Sequence, residues 1–241
     1  MEKKLQGRDV WIWGGKTLGI SAYFLLKRMY SIQPAGIIDN DPIRQSSSLD
    51  GVAISSFESF LKKRTAKSFL MLASSQYADE MAERCESIGL KRDEDYAFAA
   101  ESMGQDYQID ISNVCNLSCP SCPNGNFPEE KRYKGFIGLD LFKEIVDKAL
   151  RETPNLASFS LFYLGENFLV KDLPLYIEEL NKRNVPCFLS SNLNVPPARL
   201  EAILRAKPHY LRISTSGYYQ ETYQVDHRGG NVNILKSLLS G

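Results

Sequence analysis

Apolar positions along this chain alternate between two periods. The segments Asp9-Val10-Trp11-Ile12-Trp13, Ala35-Gly36-Ile37-Ile38 and residues 68–73 are short and almost wholly apolar, as strands buried on both faces are. A helical stretch follows Gly19 to about Met29. A second spans residues 78–88, where Ala78, Met81, Cys85 and Ile88 share one face. The alternation resumes with the strand-like Tyr107-Gln108-Ile109-Asp110-Ile111. Leu141, Phe142, Ile145, Val146, Ala149 and Leu150 then recur at helical spacing. Residues 158–164 read as a strand, and Leu173, Tyr176, Ile177 and Leu180 as a helix. Phe188-Leu189-Ser190-Ser191 is a further strand, with Leu200, Ile203 and Leu204 marking the next helix. Residues 210–214 form the last strand before a helix over 232–239. Strands alternating with helices predict βαβ units and parallel sheets. The length predicts two domains, placed at 1–102 and 103–241 because small and acidic residues fill positions 99–105.

Charge removes several function classes. Twenty-nine basic residues balance 29 acidic ones, so nothing directs the chain to nucleic acid or to an anionic membrane. Lys62-Lys63-Arg64 reads as a solvated helix face. Neither a signal peptide nor a membrane-spanning run is recognisable, and the expected location is the cytoplasm. Five cysteines are an odd number, and a chain of this size needs no disulfide staples. Cys85 and Cys187 fit core positions.

The other three cysteines carry the chemistry. Cys115, Cys119 and Cys122 stand in a C-x3-C-x2-C run directly after a predicted strand. Thiolates hold iron–sulfur clusters, usually four to a cubane, so three on one loop would leave one iron open. A structural zinc site of the Cys3His type is the alternative. Its usual mark is a pair of C-x2-C knuckles, however, and the chain has two histidines in all.

On the run CNLSCPSCPNG the chain resembles the radical S-adenosylmethionine (radical SAM) superfamily, and within it the SPASM-like branch, here without the cysteines of a SPASM domain. The resemblance implies a 4Fe–4S cluster on Cys115, Cys119 and Cys122, with SAM chelating the open iron. It further implies reductive cleavage of SAM to a 5′-deoxyadenosyl radical, which abstracts hydrogen from a peptide, sugar or sugar-nucleotide substrate. An electron donor such as flavodoxin or ferredoxin comes with that chemistry. Functional residues in such barrels lie on loops after the strands. Gly165-Glu166-Asn167 resembles the family's GGEP motif, with Leu164 at the first glycine and Asn167 at the proline; this implies contact with the SAM amino group. Ser190, Ser191 and Asn192 on the third loop, and Ser214 and Ser216 on the fourth, would line the ribose and carboxylate. Arg228, in His227-Arg228-Gly229-Gly230, would pair with the carboxylate, for which a guanidinium fork is suited. No catalytic acid or base stands out. Four βα units are fewer than the family core uses, so the sequence predicts a shortened barrel, the product of a truncated gene or one completed by another subunit.

The first hundred residues form a separate module. Gly14, Gly15 and Gly19 follow a strand and open a helix, and Asp39 ends the next strand about 20 residues beyond the last glycine, the layout of a dinucleotide fingerprint. The spacing is G-G-x-x-x-G instead of G-x-G-x-x-G. WIWGGKTLG, IIDNDP, GVAISSFESF and FLMLASS together resemble the small Rossmann-like domain of sugar O-acyltransferases, which contacts a nucleotide sugar. The predicted fold class is therefore α/β, a Rossmann-like parallel sheet followed by a partial (β/α) barrel of the radical SAM type. The rival function is a nucleotide-sugar-binding or docking module joined to a catalytically incomplete barrel.

Overall fold

The computed structural model describes residues 1–128 and 135–240, and the chain divides into two compact units. Met1–Gln105 with Leu150–Ala157 form the first; Asp106–Ala149 with Ser158–Gly241 form the second. Both are α/β with parallel sheets.

The first unit contains α1 (Glu2–Leu5), β1 (Asp9–Trp13), α2 (Thr17–Tyr30), β2 (Gly36–Ile38), β3 (Ser48–Leu49), β4 (Val52–Ser55), α3 (Phe57–Lys63), β5 (Ser68–Leu72), α4 (Ala78–Ser87) and β6 (Tyr96–Phe98). Its sheet has the order β3-β4-β2-β1-β5-β6, parallel except for β3 against β4. β1 pairs with β2 through Trp11↔Gly36 and with β5 through Asp9↔Ser68. The strand order reverses at β1, so the ends of β1 and β5 diverge into a crevice. A strand covered on both faces has no wet side, which is why Val10, Trp11, Ile12 and Trp13 are all buried and show no alternation. On one face Trp13 stacks on Phe57 at 4.1 Å and Trp11 meets Phe60 edge-on at 5.2 Å. Cys85 is fully buried in the same cluster, as its helical face predicts. The Ser56 hydroxyl caps α3 by accepting the Ser59 amide at 3.2 Å. Arg28 fastens the 150–157 segment to this unit by donating to the carbonyls of Pro154 and Leu156; burial lowers its pKa to about 10.

The second unit contains β7 (Asp106–Gln108), α5 (Pro123–Asn126), α6 (Leu139–Glu152, whose residues 150–152 fall in the first unit), β8 (Ser158–Ser160), α7 (Leu173–Lys182), β9 (Cys187–Ser191), α8 (Pro197–Arg205), β10 (Tyr210–Ile213), α9 (Gln220–Asp226) and α10 (Val232–Leu239). Its four strands are parallel and neighbour one another in chain order. The sheet therefore winds in one direction, and each strand delivers its following loop to the same edge. Phe142 on α6 packs on Tyr176 at 4.9 Å and on Phe159 at 6.5 Å. Phe159 is paired with Cys187, which is fully buried.

Local differences from the sequence reading have identifiable causes. The strand expected over 158–164 stops at Ser160, because the Asp110 carboxylate takes the amides of Leu164 (3.1 Å) and Gly165 (3.3 Å) and draws the chain off the ladder. The β3–β4 hairpin was not anticipated, nor was α9, whose one buried residue, Tyr223, gives no apolar period. Among the described residues no helix is long and apolar enough to cross a membrane.

Candidate functional site

The cysteine loop follows β7 after an irregular stretch that bends at Ile111 and bridges Ser112 to Phe136. Cys115, Cys119 and Cys122 are all partly exposed free thiols. Cys122 N–H donates to the Cys119 carbonyl at 3.1 Å, folding the C-x2-C half into a turn. Leu117 N–H points at Cys115 Sγ at 3.4 Å. Burial pushes the Cys115 thiol up to about 11, with Glu166, Cys119 and Cys122 adding to the effect; burial and then Cys122 raise Cys119. Neighbouring sulfur charge thus disfavours ionisation of Cys115 and Cys119. A thiolate in such a place is costly alone and is relieved by a bound cationic centre.

The fit to a group can be tested on the donor set. Among the described residues no three His, Cys, Asp or Glu side chains stand ready to hold one metal ion. A single zinc ion draws its sulfurs to about 2.3 Å from one point, whereas a cubane takes each cysteine on a separate iron. Both histidines are engaged elsewhere. His209 Nδ1 accepts the Cys187 amide at 3.0 Å, and His227 Nδ1 lies 2.7 Å from Ser216 Oγ. The three thiols, with the Leu117 N–H aimed at one of the sulfurs, are the side chains on this loop that could hold a cluster.

The loop after β8 is docked on the segment that leads into Cys115. A Cβ on Gly165 would fall 1.5 Å from the Ser112 carbonyl oxygen, so only glycine permits this approach. Glu166 N–H donates to the Val114 carbonyl at 2.8 Å. The Glu166 carboxylate, expected to meet an ammonium group, is 3% exposed. It accepts the amides of Phe168 (3.1 Å) and Asn192 (2.9 Å). Burial still holds its pKa above the ordinary range. Glu166 is thus the hub that joins the second loop to the third. Asn167 is buried, donates to the Ser190 carbonyl at 2.9 Å, and leaves Oδ1 without a partner.

The remaining candidates divide. Ser191 and Asn192 are buried at the end of β9. Ser214 reaches Ser190 Oγ at 3.3 Å, and Arg212 Nε also donates to Ser190 Oγ at 3.1 Å. Ser216 is occupied by His227. The Arg228 side chain is exposed, while its carbonyl accepts the Ser118 amide at 2.9 Å and so touches the cysteine loop. Asp110, Asn116, Asn194 and Tyr223 went unnoticed in the sequence. Tyr223 is fully buried, stacks on His227 at 4.7 Å, and has its pKa raised by burial, with Cys119 and Glu166 contributing. The one signal for these residues was the repeated asparagine around the third loop, Asn192-Leu193-Asn194.

The first unit's candidates meet at the head of β1. Gly14 has φ +114°, where an added Cβ would lie 2.3 Å from the Ala73 carbonyl oxygen. Asp39 is 8% exposed and accepts the amides of Gly15 (2.8 Å) and Asp41 (2.9 Å). Arg44 donates to the Gly15 carbonyl. The Gly15 amide, a candidate phosphate donor, is therefore spent on Asp39. Beside this turn lies a crevice of about 560 Å³ lined by Gly15, Lys16, Asp39, Ser74, Tyr77 and Arg84 among others.

No protein-family model and no curated protein matches the chain. Among solved structures, BtrN in complex with AdoMet and 2-DOIA is similar at 17% identity, over 46% of this chain and 45% of BtrN, with a TM-score of 0.40. Streptococcus suis SuiB bound to S-adenosylmethionine is similar at 16% identity, over 69% of this chain and 42% of SuiB, with a TM-score of 0.46. Methylornithine synthase (PylB) is similar at 16% identity, over 57% of this chain and 41% of PylB, with a TM-score of 0.45. The matched region spans less than half the length of each of these three proteins.

Proposed function

We propose that this chain is a radical SAM enzyme in which Cys115, Cys119 and Cys122 bind a 4Fe–4S cluster and the second unit receives S-adenosylmethionine. The observation that carries the reading is one loop with three free, partly exposed thiols, beyond the first strand of a parallel sheet, with the Gly165–Glu166 loop docked against its base. When bound, the cluster supplies the electron that cleaves SAM to methionine and a 5′-deoxyadenosyl radical. This chain's residues bind and orient. Gly165 offers bare backbone to the SAM amino group, while Glu166 fixes that turn and adds negative charge beside it. Ser214 and Ser216 face the ribose and carboxylate in this reading, and Arg228 brings an exposed guanidinium to the carboxylate. The substrate is a peptide, sugar or sugar nucleotide, and flavodoxin or ferredoxin serves as electron donor. The test is anaerobic reconstitution with iron and sulfide, followed by an assay for 5′-deoxyadenosine with SAM and dithionite. About four irons per chain, with brown absorbance abolished in Cys119→Ala, is the expected result. An intact cluster in that variant sinks the assignment, and zinc in place of iron after anaerobic purification favours a structural metal site.

A second reading is favoured by the crevice of about 560 Å³ in the first unit, a volume within the range of small-molecule sites. In it, that unit binds a nucleotide or nucleotide sugar at Gly14, Gly15, Gly19 and Asp39, and the second unit is an incomplete barrel. Calorimetric titration with nucleotides and nucleotide sugars decides it; saturable binding lost in Asp39→Ala supports it, and no heat of binding removes it.

A further inference from the structure

We infer that Asn116, Asn192 and Asn194 form a hydrogen-bonded bracket that sets the Cys115 arm of the cysteine loop, so that Asn192 acts as a positioning residue for the cluster and not as a contact to the ribose. The cluster part of this inference rests on the radical SAM reading; the bracket rests on the hydrogen bonds alone. Asn192 Nδ2 donates to Asn116 Oδ1 at 3.0 Å and faces Cys115 Sγ at 4.0 Å, so its two hydrogens serve the two neighbouring residues of the loop. Its Oδ1 accepts the Asn194 amide at 2.8 Å, and its own amide donates to Glu166 at 2.9 Å. Asn116 Nδ2 returns a bond to the Asn194 carbonyl at 2.8 Å. Asn194 in turn donates to the Tyr223 hydroxyl at 2.8 Å and accepts the Asn231 amide at 2.7 Å. Both hydrogens of the Asn192 amide are directed at the loop, and its oxygen already accepts one backbone amide. Most of these bonds join segments far apart in the chain, which local turn formation does not require. The bracket therefore fixes where Cys115 stands relative to the Glu166 loop. It also sets an amide dipole beside one sulfur, and hydrogen bonds to sulfur are one of the means by which a protein tunes a cluster's potential.

Two measurements on the full chain test this. In cluster-free protein, alkylation of each cysteine by iodoacetamide is followed by mass spectrometry for Asn192→Ala and Asn116→Ala. Losing the bracket should change the Cys115 rate about three- to tenfold, faster through greater access or slower through loss of the N–H that favours the thiolate, while leaving Cys119 and Cys122 nearly unchanged. Unchanged Cys115 rates, or an equal change at all three thiols, overturn the inference. Asn116 is exposed, so its variant keeps the test open should Asn192→Ala fail to fold. In reconstituted protein, Asn192→Ala should lower the cluster's reduction potential, because an N–H aimed at sulfur favours the electron-rich state. The expected size is about a tenfold change in the one-electron equilibrium, or 59 mV. An unmoved potential removes the tuning role. A wild-type chain that takes up no cluster defeats the radical SAM reading instead, and the alkylation rates still decide the bracket.

Discussion

The two units solve the same problem at the heads of their central strands and leave different chemistry behind. In each, a strand runs into a turn of small and polar residues, and a buried or half-buried carboxylate collects the turn's amides. Asp39 takes those of Gly15 and Asp41, while Asp110 and Glu166 take those of Leu164, Gly165, Phe168 and Asn192. In the first unit this satisfies the glycine turn internally and withdraws the amide that a phosphate would use. In the second, the carboxylates are consumed in fastening loops, and the thiols are what remains to react. A motif names the atoms that can bind; the hydrogen-bond inventory tells which of them are already committed.

The largest test of this contrast is steric. Alanine at Gly165 puts its Cβ 1.5 Å from the Ser112 carbonyl oxygen, and at Gly14 it puts one 2.3 Å from that of Ala73 in a left-handed conformation. Gly165→Ala should cost about 3 kcal/mol in urea denaturation followed by circular dichroism. Gly14→Ala should cost about 2 kcal/mol, read by tryptophan fluorescence, since both tryptophans lie in the first unit. A larger loss at Gly14 reverses the comparison. Next come the carboxylates. Glu166→Ala strands two amides at a site 3% exposed and should cost about 2 kcal/mol. Asp39→Ala should cost about 1 kcal/mol, because its amides border an open crevice that water can enter. Equal losses would mean that the two carboxylates have the same role after all.

Much of this architecture was legible in the sequence, and what was not has a common physical cause. Unbroken apolar runs gave β1 and β5, because both faces of those strands are covered; the helical face of Phe142, Val146 and Ala149 gave α6. The cysteine loop was legible because its spacing is local. Glu166 was found by its position, yet its partners were not, because they sit on Phe168 and on Asn192, the latter beyond the end of β9. Asn116, Asn194 and Tyr223 were missed for the same reason: asparagines read as turn formers, and a lone buried tyrosine on a polar helix makes no pattern. Long-range hydrogen bonding leaves no periodic trace.

The smallest expected effect separates surface charge from these buried carboxylates. Glu179 on α7 pairs with Lys182 at 2.8 Å and with Arg183 at 2.7 Å, and Arg183 reaches Asp147 on α6 at 2.8 Å. Lys182 and Arg183 lower the Glu179 carboxyl to about 2. A carboxylate whose folded pKa lies below its unfolded value of about 4.3 adds stability that is full above that value. That stability is lost as pH falls from there through about 2. Glu179→Gln should therefore be less stable than the parent at pH 6 and converge on it near pH 2, with a gap under about 1 kcal/mol that shrinks in salt. Glu58 is the first unit's counterpart, held below the ordinary range by its own backbone amide, Ser56 and Arg84, but its side chain is 64% exposed. Glu58→Gln should show a weaker pH slope still. A slope at Glu179 as steep as the cost of Glu166→Ala would mean that the helix faces, and not the carboxylates beneath the loops, carry the second unit's electrostatic stability.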